Sequence, residues 1–463
     1  MRVRGRNWGG ALIAFLVGCN GEVADDPADA GAEDADVAAE VSDTGPVDAT
    51  TDADPCGIVG CEASKVFHPR IKKAFDRLGG AKALGAPTDN GGTQWVHAFG
   101  PGMVQDFAGG ALGPAILAAS SSTASWASEA YAISGGIRAA WLALGGGPAV
   151  GYPMEDAHPL GGGVTALVQT FEKGCLGPDG RGGYELYEAC APPPDLAPTL
   201  SKIGAQFPTT SGGADVALAV TWLPTLTRWS HQGTVPRTSA SSVKWVWAAA
   251  ALAKNSIATV ETPALPTFKD SNNSTAGQLI DLAGGPNAVN DFTVALGIPI
   301  TQLSLCGWSF DKTRVATNCS KLAGGDNFFT AVGGVTFLEK VWAGAGLPAD
   351  KAAKLAEWAT LSPRSGYGGW VGTQLPAAAR PNLQHKAGWL PTGCCSTGYP
   401  AFYNEFAIVR TSRGSYAFAA SAKNGGATRN DTKQTKALEW ASCVVFHALA
   451  EPSGDPFSAG CTP

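Results

Sequence analysis

The sequence predicts an α+β fold for the C-terminal half of the chain, and three features of the residue pattern predict it. Apolar residues alternate in Asp215-Val216-Ala217-Leu218-Ala219-Val220, the period-two signature of an early strand. Phe402 to Arg410 and Ser415 to Ala420 read as two further strands near the other end of the chain. Between and after them lie runs of helical character: Trp245 to Leu252, Ala276 to Leu282, Phe328 to Trp342 and Thr435 to Leu449. With 60 glycines in 463 residues the chain is rich in turns rather than long helices. Its 44% hydrophobic and 16% charged composition is ordinary for a globular protein, and its length allows two or three domains.

Residues 1–19 read as a targeting segment. Arg2, Arg4 and Arg6 precede an apolar stretch from Ala11 to Val17, and Leu16-Val17-Gly18-Cys19 closes it. This pattern resembles a bacterial lipoprotein signal with its lipobox, which implies that Cys19 becomes the lipidated first residue of the mature chain. No other segment is long and apolar enough to span a bilayer, so the expected membrane contact is the lipid anchor alone. By the same resemblance the protein belongs to the bacterial cell envelope. Asn20, where some lipoproteins carry an Asp that holds them at the inner membrane, favours the outer membrane or cell surface.

Residues 20–55 carry twelve acidic side chains and no basic ones, among Ala, Val, Thr and Pro. Such a segment cannot bury a core and reads as a disordered, self-repelling tether. Its charge explains the net −6 of the whole chain. Setting aside those twelve acids and the three signal arginines leaves 30 basic and 27 acidic residues, a net of +3. Nothing in that balance argues for nucleic acid as a partner.

Residues 56–192 repeat themselves at an offset of roughly 65 residues, the signature of an array. The first copy runs Ile71, Leu78-Gly79-Gly80, Leu84-Gly85-Ala86-Pro87 and Val104-Gln105-Asp106-Phe107-Ala108-Gly109-Gly110. The second runs Ile137, Leu144-Gly145-Gly146, Val150-Gly151-Tyr152-Pro153 and Val168-Gln169-Thr170-Phe171-Glu172-Lys173-Gly174. Each has a short helix ending in Gly-Gly, a Gly-x-Pro turn and a strand-like segment. The plan resembles LGFP repeats of cell-wall-associated bacterial proteins, with Ala86 and Tyr152 where that motif has Phe; it implies a small domain that binds envelope glycan. Trp95, Trp126 and Trp141 are candidates either for stacking on sugar rings or for the core.

Beyond the linker Ala191-Pro192-Pro193-Pro194-Asp195, residues 193–463 carry three motifs in order: Ser241-Ser242-Val243-Lys244, Ser271-Asn272-Asn273 and Lys386-Ala387-Gly388. A serine three residues before a lysine, at the start of an apolar helical run, shares a helical face with it. At the positive end of that helix a neighbouring amine can activate the hydroxyl, and backbone N–H groups stabilise an anion forming beside it. The ordered set resembles the S-x-x-K, S-D-N and K-T-G motifs of class A beta-lactamases and penicillin-binding proteins. Ser274-Thr275-Ala276 and Asp281-Leu282-Ala283-Gly284-Gly285-Pro286 follow the second motif, as a short helix and G-G-P turn do in that family.

This resemblance implies a beta-lactamase-like α+β fold: an antiparallel sheet drawn from both chain ends, with a helical subdomain inserted. It implies Ser241 as nucleophile, Lys244 as the amine that takes its proton, and Ser271 as the relay to the leaving nitrogen. Asn273 would hold the acyl amide, and Lys386 would face a substrate carboxylate from the Lys386-Ala387-Gly388-Trp389 strand. The N–H groups of Ser241 and Trp389 would form the oxyanion hole. His385 receives no role.

Four features depart from the family. Asn272 replaces the usual Asp, Ala387 replaces the Thr or Ser that contacts the substrate carboxylate, and only about 30 residues separate Ser241 from Ser271. Most consequentially, no E-x-x-L-N motif lies between Ser271 and Lys386, where Asp311 is the nearest carboxylate to the expected place. The sequence therefore supports acylation better than deacylation.

Eleven cysteines include Cys19, and the ten others suggest disulfides in an exported chain. Cys56 with Cys61, Cys175 with Cys190 and Cys306 with Cys319 are local pairs, while Cys394, Cys395, Cys443 and Cys461 leave the connectivity open. Zinc-like spacing is missing, and no metal or other cofactor is expected. Three functions follow from the reading: an envelope-anchored serine hydrolase acylated on Ser241 by beta-lactams or related amides and esters, a peptidoglycan D,D-peptidase, or a non-catalytic envelope-binding protein with a degenerate hydrolase domain.

Overall fold

Both copies of the repeat fold on one plan, and their shared glycines explain why. The first copy comprises α1 (Pro69–Arg77), α2 (Ala81–Leu84), β1 (His97–Phe99), β2 (Gly102–Gly110), β3 (Gly113–Ser120) and β4 (Tyr131–Ser134). The second comprises α3 (Gly135–Ala143), α4 (Gly146–Val150), β5 (His158–Gly161), β6 (Val164–Phe171), β7 (Gly174–Pro178) and β8 (Tyr184–Tyr187). Each forms a four-stranded sheet in sequential order, and each fastens its Gly-x-Pro turn by an equivalent bridge, Pro87 to Phe107 and Pro153 to Phe171. Gly85 and Gly151 both have positive φ, 81° and 88°. A Cβ at Gly85 would sit 2.6 Å from the Gly109 backbone, and one at Gly151 would sit 2.5 Å from the Glu172 Cβ, so only glycine lets the turn close on its strand.

The computed structural model of the chain describes residues 68–88, 96–161, 164–188, 193–308, 311–320, 322, 327–364, 369–393, 399–424, 431–451 and 453–463. The signal and tether segments, Trp95, Cys56, Cys61, Cys190, Cys394 and Cys395 lie outside them. Trp141 is fully buried, with Nε1 donating to Gly151 O at 3.0 Å, so of its two candidate roles the structure assigns it to the core.

The C-terminal part is built from α5 (Ala197–Ser211), β9 (Ala214–Trp222), β10 (Thr227–His231), β11 (Arg237–Thr238), a 3-10 turn (Ala240–Val243), α6 (Lys244–Lys254), α7 (Ile257–Lys269), α8 (Asn273–Leu282) and α9 (Pro286–Ala295). It continues through β12 (Leu303–Ser304), β13 (Gly307–Trp308), β14 (Asp311–Val315), β15 (Phe328–Phe329), α10 (Ala331–Trp342), α11 (Ala349–Ala359), β16 (Gln384–Leu390), β17 (Ala401–Thr411), β18 (Gly414–Asn424) and α12 (Asp431–Ala450). The main sheet has the order β10-β9-β18-β17-β16 and is antiparallel throughout. Strands from both chain ends thus meet at its centre, with Ala219 paired to Ala419. Between β9 and β16 runs the helical insertion, the beta-lactamase-like arrangement that the motifs imply.

Alternation along β9 divides two cores. Val216, Leu218 and Val220 face one apolar cluster with Leu200 and Phe207 of α5 and Val445 of α12. Ala219 faces the other, with Val335 and Leu338 of α10 and most of α6. Burying each large side chain of this kind contributes about 1.5–3 kcal/mol, and the small residues on the second face let α10 approach closely. A Cβ on Gly334 would lie 2.8 Å from the Phe406 ring and 2.9 Å from the Ala419 Cβ.

The expected helix over 328–342 is divided. Phe328 and Phe329 pair with β11 and β12, and the helix begins only at Ala331, where Thr330 Oγ1 accepts from Gly333 N at 3.0 Å as an N-cap. Two aromatic residues followed by Thr are a strand with a cap rather than a first helical turn. Disulfides join Cys306 to Cys319 and Cys443 to Cys461; Cys175 is also disulfide-bonded, and its expected partner Cys190 is outside the described residues.

Candidate active site

Ser241 stands one turn ahead of the place its sequence suggests. The α-helix begins at Lys244, and Ser241 belongs to the preceding 3-10 turn, where Ser242 Oγ donates to Ser239 O at 2.7 Å. Ala240, immediately before it, has φ +47°, a left-handed conformation costing a residue with a Cβ about 1 kcal/mol or more. Ser271, in the second motif, has φ +53°. Such strain persists where surrounding contacts over-determine the backbone, and it gathers at functional sites.

Those contacts come from three directions. Gly388 of the edge strand β16 lies so close that a Cβ there would be 2.4 Å from both Ser241 N and Ser242 N. Ser239 N donates to Asn327 O at 2.9 Å, and Asn404 Nδ2 of β17 donates to Thr238 O at 2.7 Å. The turn bearing Ser241 is therefore held by β15's leading residue, by β17 and by β16 at once. Its hydroxyl is half-buried and has no hydrogen-bond partner among the described residues.

The second and third motifs converge on the lysine of the first. Lys244 Nζ donates to Ser271 O at 2.5 Å, to Asn273 Oδ1 at 2.7 Å and to Ser271 Oγ at 3.3 Å. Lys386 Nζ donates to Ser271 Oγ at 3.0 Å and to Ala387 O at 2.7 Å. One hydroxyl, Ser271 Oγ, joins the two amines. Asn272 caps α8, its Oδ1 accepting from Thr275 N at 3.1 Å, so the middle residue of the second motif serves the helix terminus.

Both lysines are buried, and burial penalises the charged form. Burial first and the adjacent Lys386 second push the Lys244 amine well below its ordinary value. Lys386 is pushed down to about 8 by burial, with Glu405 opposing. A neutral amine has two N–H groups, and Ser271 O and Asn273 Oδ1 are acceptors that can take both. The lone pair of Lys244 is then left for a hydroxyl proton. The Ser241 hydroxyl and Lys244 Nζ are not joined by a hydrogen bond among the described residues.

Of the other expected positions, Ala387 has its methyl in the apolar cluster with Leu383 and Tyr403, so its side chain is turned from the cleft and its carbonyl serves Lys386. Trp389 is half-buried at the far end of β16, opposite Tyr403 in β17. Asp311 opposes Trp308 in a short hairpin. Asn327 Oδ1 holds the start of that hairpin by accepting from Cys306 N at 2.8 Å and Gly307 N at 3.0 Å.

Sequence reasoning passed over one buried pair. His385 Nδ1 lies 2.6 Å from Glu405 Oε1, next to Lys386 along β16. The signal was legible, since Asn404-Glu405 interrupts the otherwise apolar β17.

Residues 252–448 match the model of a family described as the beta-lactamase enzyme family. Among curated proteins none matches the chain. Similar solved structures include an ancestral class A beta-lactamase, 16% identical, aligned over 55% of this chain and 100% of that one with a TM-score of 0.43. A beta-lactamase from Chitinophaga pinensis is 15% identical over 53% of this chain and 99% of that one, with a TM-score of 0.44. The TLA-3 extended-spectrum beta-lactamase is 16% identical over 54% and 100%, with a TM-score of 0.45.

Proposed function

We propose that residues 193–463 form a serine hydrolase that is acylated on Ser241 by beta-lactams or related amides and esters. The observation that carries this reading is the convergence of Lys244 and Lys386 on Ser271 Oγ, with Gly388 of the Lys386 strand packed against the backbone of Ser241. Neutral Lys244 takes the Ser241 proton as Oγ attacks the carbonyl carbon. The developing oxyanion is met by the N–H of Ser241 and, on β16, that of Trp389. Ser271 passes a proton to the leaving nitrogen, and charged Lys386 attracts the substrate carboxylate across Ser271. Asn273 supports the acyl amide and orients Lys244.

Stoichiometric labelling by a fluorescent penicillin, lost in Ser241→Ala, tests the reading. A protein that takes up no label at any concentration of the reagent would remove its basis. The absent E-x-x-L-N motif favours a second reading of the same site, a peptidoglycan D,D-peptidase in which the acyl group leaves slowly or to another amine. Release of terminal D-alanine from a stem peptide separates the two.

We also propose that Cys19 carries lipid, that the tether 20–55 spaces the folded part from the membrane, and that residues 56–192 bind envelope glycan. A cleft of about 740 Å³ beside the second copy mixes polar side chains, among them Glu155, Glu172 and Lys173, with apolar ones such as Leu160 and Phe171 and with Pro224 of the C-terminal part, a mixture that suits the hydroxyls and ring faces of a sugar. Retention of the full-length Ser241→Ala protein on purified cell wall supports this. Equal retention on an unrelated polymer would count against it. If the wall is bound while no penicillin labels the wild type, the non-catalytic envelope-binding function is the one that stands.

A further inference from the structure

The mechanism above leaves one fully buried ionisable cluster without a task. Glu405 and His385 are 1% and 0% exposed. Glu405 Oε2 accepts from Trp370 N at 2.6 Å and Val371 N at 3.0 Å, while Oε1 meets His385 Nδ1 at 2.6 Å. His385 Nε2 lies 3.0 Å from the carbonyl oxygen of Ser362. The Glu405 carboxyl thus takes two backbone N–H groups on one oxygen and faces His385 Nδ1 with the other. Room for the ring is provided by Gly369, where a Cβ would lie 2.4 Å from His385 Cε1.

A buried pair of this kind is weak support for stability, because desolvation offsets most of its attraction. Its position is more informative. His385 precedes Lys386, and Glu405 is the cross-strand partner of Ala387, whose carbonyl receives the Lys386 ammonium. From His385 the chain of contacts runs to Ser362, whose Oγ donates to Phe268 O at 3.3 Å, one turn before the bend that carries Ser271. The cluster thus links the strand bearing Lys386 to the helix end that sets Ser271.

We propose that the Glu405–His385 pair is a positioning device for the acylating site, holding the Lys386 strand and the Ser271 turn in register. The proposal rests on the serine-hydrolase reading for its catalytic meaning but not for its geometry. Glu405 is the group that opposes the effect of burial on Lys386. Across the site Lys386 faces Lys244. From α11, which packs against β16, Lys351 donates to Leu252 O and Lys354 is paired with Glu261 and Glu357, so they are engaged elsewhere.

The test uses full-length protein with lysines carrying a 13C label at Cε, the Lys386 signal being assigned by its loss in Lys386→Arg. In Glu405→Gln the Lys386 titration is expected to move to lower pH by about half a unit or more. The penicillin acylation rate constant is expected to fall about tenfold, with little change in the dissociation constant of the first complex. His385→Gln, which leaves Glu405 its two backbone donors, is the second variant and is expected to lose acylation rate in the same way. Folded Glu405→Gln protein with an unshifted Lys386 titration would overturn the proposal; if that variant does not fold, undiminished acylation in His385→Gln would do so. A wild type that is never acylated sinks the hydrolase reading instead, and the Lys386 titration still decides the positioning role.

Discussion

Gly388→Ala is the sharpest probe of how the site is assembled, because the contact it disturbs is backbone against backbone. The added methyl carbon would lie 2.4 Å from Ser241 N and from Ser242 N, and 2.9 Å from Ser241 C. Ordinary contact for such a carbon begins at 3.4 Å, so β16 and the Ser241 turn must part by about 1 Å. No flexible side chain is available to absorb the movement. A displacement of that size at a reacting centre costs on the order of 100-fold in rate, and overpacking costs about 1–3 kcal/mol of stability. The second-order rate constant for labelling by a fluorescent penicillin measures the first, and urea denaturation measures the second. The fold should survive, since β16 keeps its pairing with β17 from Gln384 to Leu390. Acylation within threefold of wild type, in a protein of unchanged stability, would refute the claim that the edge strand rests on the nucleophile's turn.

Acylation should follow a bell in pH. Its alkaline limb should fall near pH 8, where Lys386 loses its proton, and Lys386→Arg should carry that limb upward while the acid limb, set by Lys244, stays in place. The same depression of Lys386 predicts a stability slope. Between about 8 and its ordinary 10.5 the unfolded chain holds more protons than the folded one, so stability rises with pH in that window. Urea denaturation at pH 8 and 9.5 should show the rise in wild type and a smaller one in Lys386→Met. Removing the Cys306–Cys319 bridge by Cys306→Ala with Cys319→Ala should cost about 3 kcal/mol for a separation of 13 residues, read by the denaturation midpoint. Because Asn327 ties Cys306 and Gly307 to the segment beside Ser239, the same double variant should also slow acylation; an unchanged rate would show the hairpin to be independent of the site.

The strands were legible because the sheet is buried on both faces with residues of different size. Val216, Leu218 and Val220 on one side and Ala217 and Ala219 on the other leave a period-two record in the text. The division at Thr330 was not, since Phe328-Phe329-Thr330 reads apolar and continuous with the helix until the cap is seen. The start of α6 is a similar case. Ser239 to Val243 contains nothing that forbids an α-helix, and what shifts its onset to Lys244 is the left-handed Ala240, imposed by Gly388, Asn404 and Asn327 from distant parts of the chain. Tertiary contacts decide such boundaries, and no local pattern records them.

The site was legible to the extent that its chemistry needs particular functional groups at short spacing. Ser241 and Lys244 are three apart, and Ser271 and Asn273 two apart, so each pair is written locally. What the sequence does not write is which acceptors face which amine. Two buried lysines sharing Ser271 Oγ repel one another, and each separately is penalised by burial, so the arrangement is stable only if something elsewhere supplies compensation. Lys244 is compensated by acceptors, Ser271 O and Asn273 Oδ1, and these suit an amine that gives up its charge. Glu405 partly opposes the effect of burial on Lys386, which suits an amine that keeps its charge. Two buried lysines side by side thus differ in their second set of neighbours rather than in their motifs, and in the proposed mechanism that difference separates the base that takes a proton from the cation that attracts a carboxylate.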